Sequence, residues 1–97
     1  MPKIKDDNID FLFTAMMQLK TLDEYYLFFE DLCTIPELRA ISQRAVVAKM
    51  LSEDCVYSDI VKETGASTAT ISRVKRSLSY DGDGGYQLVF DRMKKEK

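Results

Sequence analysis

Apolar side chains recur along this chain at the three- and four-residue spacing of amphipathic helices, and no stretch reads as a strong strand. Residues 7–20 align Ile9, Leu12, Phe13, Met16 and Leu19 on one stripe. Asp6 or Asp7 is placed to cap that helix. Thr21 opens a second run, 22–33, with Glu24 three residues on, the pattern of a reciprocal capping box. This run is rich in rings: Tyr25, Tyr26, Phe28 and Phe29. Thr34 and Glu37 repeat the pattern, with Pro36 in the first turn, where a missing N–H costs nothing. The third helix, about 35–53, carries Leu38, Ile41, Ala45, Ala48 and Leu51. A fourth and fifth helix occupy 57–78, and a sixth, about 86–95, uses Tyr86, Val89, Phe90 and Met93. Tyr80-Asp81-Gly82-Asp83-Gly84-Gly85 is a turn by composition. Its glycines follow no strand and lack the Lys-Ser/Thr of a nucleotide-binding loop.

The pair at 57–78 is the most informative segment. A short amphipathic run ends at Gly65, and the small turn Ala66-Ser67 follows. A second run then places Ile71, Val74 and Leu78 at helical spacing, with Ser67 as its natural N-cap. This is the punctuation of a helix-turn-helix, which can set its second helix in a DNA major groove. The outward residues of that helix are expected to be Thr68, Ala69, Thr70, Ser72, Arg73, Lys75 and Arg76. They are small, hydroxylic or basic, with no acid among them.

Ninety-seven residues correspond to a single domain, marginal in its own burial. The first two helices are apolar on more than one side, with Phe11 beside Phe13 and Phe28 beside Phe29. Such width predicts a core shared with a second copy. The expected division is dimerisation helices over about 7–53, a DNA-reading unit over about 57–79, and the last helix.

Composition narrows the function. No apolar run reaches the roughly 20 residues of a membrane span. The amino terminus has no signal-peptide core, so a cytoplasmic location is expected. Cys33 and Cys55 form no CxxC pair, and a chain without histidine cannot complete a common zinc site, so no metal is expected. Both read as free thiols. The net charge of −2 hides an asymmetry. Residues 1–37 hold three lysines against eight acids, whereas 38–97 hold eleven basic residues against eight acids. Local charge governs attraction to phosphate. Nothing here assembles a converging acid, base and pocket, so an enzyme is not expected.

LCTIPELRAISQRAVVAKML followed by GASTATISRVKRSL resembles the Trp repressor family. With GGYQLVFDRM at the end, the chain resembles the family's YerC/YecD branch. The resemblance implies an all-α, six-helix, intertwined homodimer. Each subunit would carry one reading head, entering successive major grooves of a two-fold symmetric operator. It places Thr68, Ala69 and Ser72 toward bases and Thr70 near phosphate. Lys62 matches a phosphate-facing position. Asp59 stands where the Trp repressor has a guanine-reading arginine, and an acid there could accept from a cytosine amino group.

The resemblance also implies an effector pocket. Arg44 and Arg73 match two arginines that sandwich an indole, Ser77 matches a hydroxyl that meets its amino group, and Thr34 matches a residue nearby. However, Val74 stands where the repressor has glycine. Filling a fitted slot costs roughly 1–3 kcal/mol. No cofactor is therefore expected, and tryptophan is disfavoured as an effector. The expected function is a DNA-binding transcription regulator, a repressor by steric exclusion of polymerase. Lys62, Arg73, Lys75 and Arg76 would meet phosphate. The alternative is a protein-interaction module that uses the same helix pair for docking.

Overall fold

The computed structural model describes residues 4–79 and 82–96. Tyr80 and Asp81, the first two residues of the expected turn, lie outside the described residues. Six α-helices and no strand occur among the described residues: α1 (Asp7–Met16), α2 (Leu22–Leu32), α3 (Ile35–Ser52), α4 (Tyr57–Thr64), α5 (Thr68–Ser79) and α6 (Gly85–Lys95). They form two compact units, Met1–Leu38 and Arg39–Lys97.

In the first unit the caps are those the sequence marks. The Asp6 carboxylate accepts the Ile9 N–H at 2.8 Å, and the Thr21 hydroxyl accepts the Glu24 N–H at 3.2 Å. The Glu24 carboxylate reaches back to the Lys20 N–H at 2.8 Å, one residue before the N-cap. That bond explains why α1 stops at Met16 rather than running on to residue 20. Gln18 and Leu19 turn through tighter bonds to Ala15 and Met16 at 3.1 and 3.0 Å, and Lys20 already belongs to the α2 cap. Thr34 and Glu37 do form the reciprocal box, at 3.2 and 2.8 Å. Hydrogen bonding to the Glu37 carboxyl from the Thr34 backbone N–H first, and from the Thr34 side chain second, holds it below its ordinary value of 4.5.

Neither α1 nor α2 buries a side chain. Phe13, expected on the inward stripe of α1, is 51% exposed, and Phe11 is 75% exposed. Three rings of α2 group together, with Tyr25 stacked on Phe29 and Phe28 edge-on to it.

The second unit contains the core. Val47 and Ala48 of α3, Ile60 of α4, Ala66 of the turn, Ile71 and Val74 of α5, and Phe90 of α6 form one buried cluster. Fully burying an Ile or Val contributes about 1.5–3 kcal/mol each. The stripe expected on α3 needs correction: Ala48 is buried, but Ile41 and Ala45 are exposed, and Val47 takes the inward position. Apolar residues surround α3 on all sides, so spacing alone does not single out the core-facing one. Tyr86 lies half-buried and stacks on Phe90, whereas Val89 and Met93 of α6 stay outside.

Helix α3 ends in a Schellman motif. The Asp54 N–H donates to the Leu51 carbonyl at 3.0 Å and the Cys55 N–H to the Met50 carbonyl at 3.1 Å. Asp54 itself has φ +63°, the left-handed conformation usually given to glycine. Both cysteines are free and half-buried.

Candidate nucleic-acid interface

Helix α4 is brought to a stop by Gly65. Its φ of +71° is one that an L side chain rarely adopts, and its N–H closes on the Val61 carbonyl at 2.8 Å. The Thr64 hydroxyl ties the same corner from within. It donates to the Ile60 carbonyl at 2.7 Å and accepts the Ala66 N–H at 3.1 Å. Gln43 of α3 then donates to the Thr64 carbonyl at 3.1 Å. The end of α4 is therefore pinned to the longest helix as well as to its own turn. Ser67 caps α5 by accepting the Thr70 N–H at 3.1 Å.

From that cap α5 divides into two faces. Ile71 and Val74 are buried in the core and Leu78 is half-buried. Thr68, Ala69, Ser72, Arg73, Lys75 and Arg76 are exposed. Thr70 differs from expectation: it is half-buried, and its Oγ1 accepts from the Ser67 hydroxyl at 3.1 Å. A hydroxyl three residues after a serine cap is drawn back toward that cap. On α4, Asp59 in the first turn and Lys62 in the last are both exposed. The outward sides of α4 and α5 thus carry Asp59 alongside the bases Lys62, Arg73, Lys75 and Arg76. No acid occupies the first turn of α5.

The expected effector residues fall in different settings. Val74 is 3% exposed and belongs to the core cluster. Arg44 and Arg73 are exposed. The Ser77 hydroxyl is also exposed and turns back to the Arg73 carbonyl at 3.4 Å. The Thr34 hydroxyl is occupied as the N-cap of α3.

One feature escaped the sequence. A groove of about 580 Å³ opens beside the ends of α3 and α5, lined in part by Tyr57, Lys75, Leu78, Phe90 and Lys94. The Lys75 ammonium sits 5.7 Å from the centre of the Tyr57 ring. Lys94 lies nineteen positions from Lys75, on a separate helix, and no local spacing connects the two. None of the described helices is long and apolar enough to cross a membrane.

Comparison with known proteins fits this geometry. The model of the Trp repressor protein family matches residues 7–94. The uncharacterized protein YerC of Bacillus subtilis (strain 168) is 51% identical over 92 residues, 95% of this chain and 88% of that protein. The crystal structure of a TrpR-like protein from Eubacterium eligens ATCC 27750 superposes with a TM-score of 0.89. It is 56% identical, covering 95% of this chain and 94% of that one. A further solved structure, from Staphylococcus aureus, gives a TM-score of 0.88 at 48% identity, covering 95% and 91%.

Proposed function

Because the chain belongs to the Trp repressor family, a group of repressor-like proteins and not enzymes, we propose that it is a sequence-specific DNA-binding transcription regulator. It reads a two-fold symmetric operator as a homodimer and represses by excluding polymerase. The observation that carries this reading is the division of α5: a core-bound side of Ile71 and Val74, and a solvent side of Thr68, Ala69, Ser72, Arg73, Lys75 and Arg76. Phosphate contacts from Lys62, Arg73, Lys75 and Arg76 supply affinity, and the smaller residues face base edges. Homodimerisation is supported by α1 and α2, which bury no side chain and expose Phe11, Leu22 and Leu27, with Met17 exposed just after α1. An apolar surface of that kind marks an association site.

DNA binding on this reading needs no amino-acid corepressor. What supports this is Val74, which stands where the repressor has glycine and is packed into the core cluster. Selection of bound fragments from random DNA, with and without free tryptophan, tests this. The same fragments are expected in both arms. Titration of a selected fragment should give log K falling linearly with log salt, by about 0.9 per phosphate neutralised. Lys62→Ala or Arg73→Ala should each lower that slope by about one. Absence of salt-dependent binding to any fragment would remove the proposal.

Asp59 favours a second reading, in which the helix pair docks a protein. An exposed acid at the start of α4 repels phosphate. The variant Arg73→Ala with Arg76→Ala separates the two. Lost DNA retention with an intact dimer supports the regulator. Unchanged DNA retention with loss of a protein partner supports docking.

A further inference from the structure

The side chains available on α4 and α5 constrain how the proposed head can tell one base pair from another. Recognition of adenine through its N6 and N7 groups takes the amide of Asn or Gln. Residues 57–79 contain neither. The amide of Gln43, which reaches the end of α4, donates to the Thr64 carbonyl. Arg73, Arg76, Lys62 and Lys75 present only donors, which suit guanine or phosphate. Asp59 is an acceptor and suits the cytosine amino group. For an A·T pair this leaves the first turn and a half of α5.

Two hydroxyls there are already used: Ser67 and Thr70 bond to each other while Ser67 caps the helix. The exposed remainder is the hydroxyls of Thr68 and Ser72, and the methyl groups of Thr68 and Ala69. A hydroxyl donates and accepts, so it pairs with either base of an A·T pair. A methyl group has one complementary feature on a major-groove edge, the C5 methyl of thymine. Short side chains also require the helix backbone to come close to the bases, which brings such methyl groups into contact.

We infer that the reading head distinguishes A·T pairs from the thymine side, by contact of the Ala69 and Thr68 methyl groups with thymine C5 methyls, and not by a two-point amide contact on adenine. This rests on the DNA-binding reading above and specifies its selectivity.

Single-site chemical substitution in a selected operator tests it without altering the protein. Each thymine of a half-site is replaced in turn by deoxyuridine, which removes only the methyl, and each adenine by 7-deazaadenine, which removes N7. Fluorescence anisotropy should show about fourfold weaker binding per contacted methyl, the worth of one buried methylene. 7-Deazaadenine should weaken binding less than deoxyuridine does at the contacted pairs. Ala69→Gly should abolish the thymine–uracil difference at one position per half-site while the parent retains it. Circular dichroism confirms the helix in that variant. Equal affinity for thymine and uracil operators, or sensitivity to 7-deazaadenine instead, overturns this inference and leaves DNA binding standing. A chain that retains no selected fragment overturns both.

Discussion

Asp54→Gly should stabilise this protein, although it removes a side chain and adds none. Asp54 closes the Schellman motif of α3 at φ +63°. An L residue held there carries strain of about 1–2 kcal/mol, toward the low end for Asp. Glycine relieves it but returns about 0.5–1 kcal/mol through the greater freedom of its unfolded chain. Removing a carboxylate from a helix C-terminus adds about 0.3–1 kcal/mol in favour of folding. The balance is a gain of about 1 kcal/mol, read as a rise in Tm of about 4–8 °C at fixed protein concentration. Gly65→Ala is the converse experiment. Gly65 has φ +71°, and an added Cβ would meet nothing within 4 Å, so its cost is backbone strain alone. It should lower stability by about 1 kcal/mol. Thermal and urea unfolding of both variants decide the matter. If Asp54→Gly left Tm unchanged or lowered it, the strain assigned to this corner would be refuted.

Ile71→Ala should cost about 2–5 kcal/mol, measured by urea unfolding, because Ile71 is fully buried at the centre of the cluster. Acidification should loosen the start of α3. The folded Glu37 carboxyl lies below 4.5, so its contribution is complete above that pH and disappears as pH falls through the lowered value. A side-chain carboxyl NMR titration of Glu37 should shift only part of the way back in Thr34→Ala, which removes the hydroxyl but keeps the backbone N–H that is the larger cause. Gly82→Ala should destabilise the link between α5 and α6, since a Cβ there would run into the Ser77 backbone carbonyl. Amide exchange in the last turn of α5 should accelerate in that variant.

What the sequence revealed depended on whether a signal was local. The Thr21, Thr34 and Ser67 caps were legible because a capping hydroxyl serves an N–H three residues away. Gly65 announced the turn of the helix pair for the same reason. The outward position of Thr68, Ala69, Ser72, Arg73, Lys75 and Arg76 followed from the inward spacing of Ile71, Val74 and Leu78, whereas Asp59 and Lys62 of α4 were singled out by the family resemblance alone. Thr70 did not follow, because its hydroxyl answers to the cap and not to the helical period. Asp54 gave no warning either, since aspartate does not mark a left-handed residue as glycine does. The inward side of α3 was illegible because selection of Val47 over Ile41 is made by α4, α5 and α6. The groove lined by Lys75 and Lys94 likewise exists only after distant helices meet.

The bond from Gln43 to the last carbonyl of α4 has a bearing on protein engineering. Transplanting residues 57–79 into a foreign scaffold would carry the proposed recognition chemistry but sever its mooring. A host that supplies no equivalent amide opposite position 64 would let the module pivot, and on the proposed DNA-binding function a chimera built that way would bind loosely despite an unaltered surface. Portability of this head is therefore set by a residue fourteen positions upstream of it.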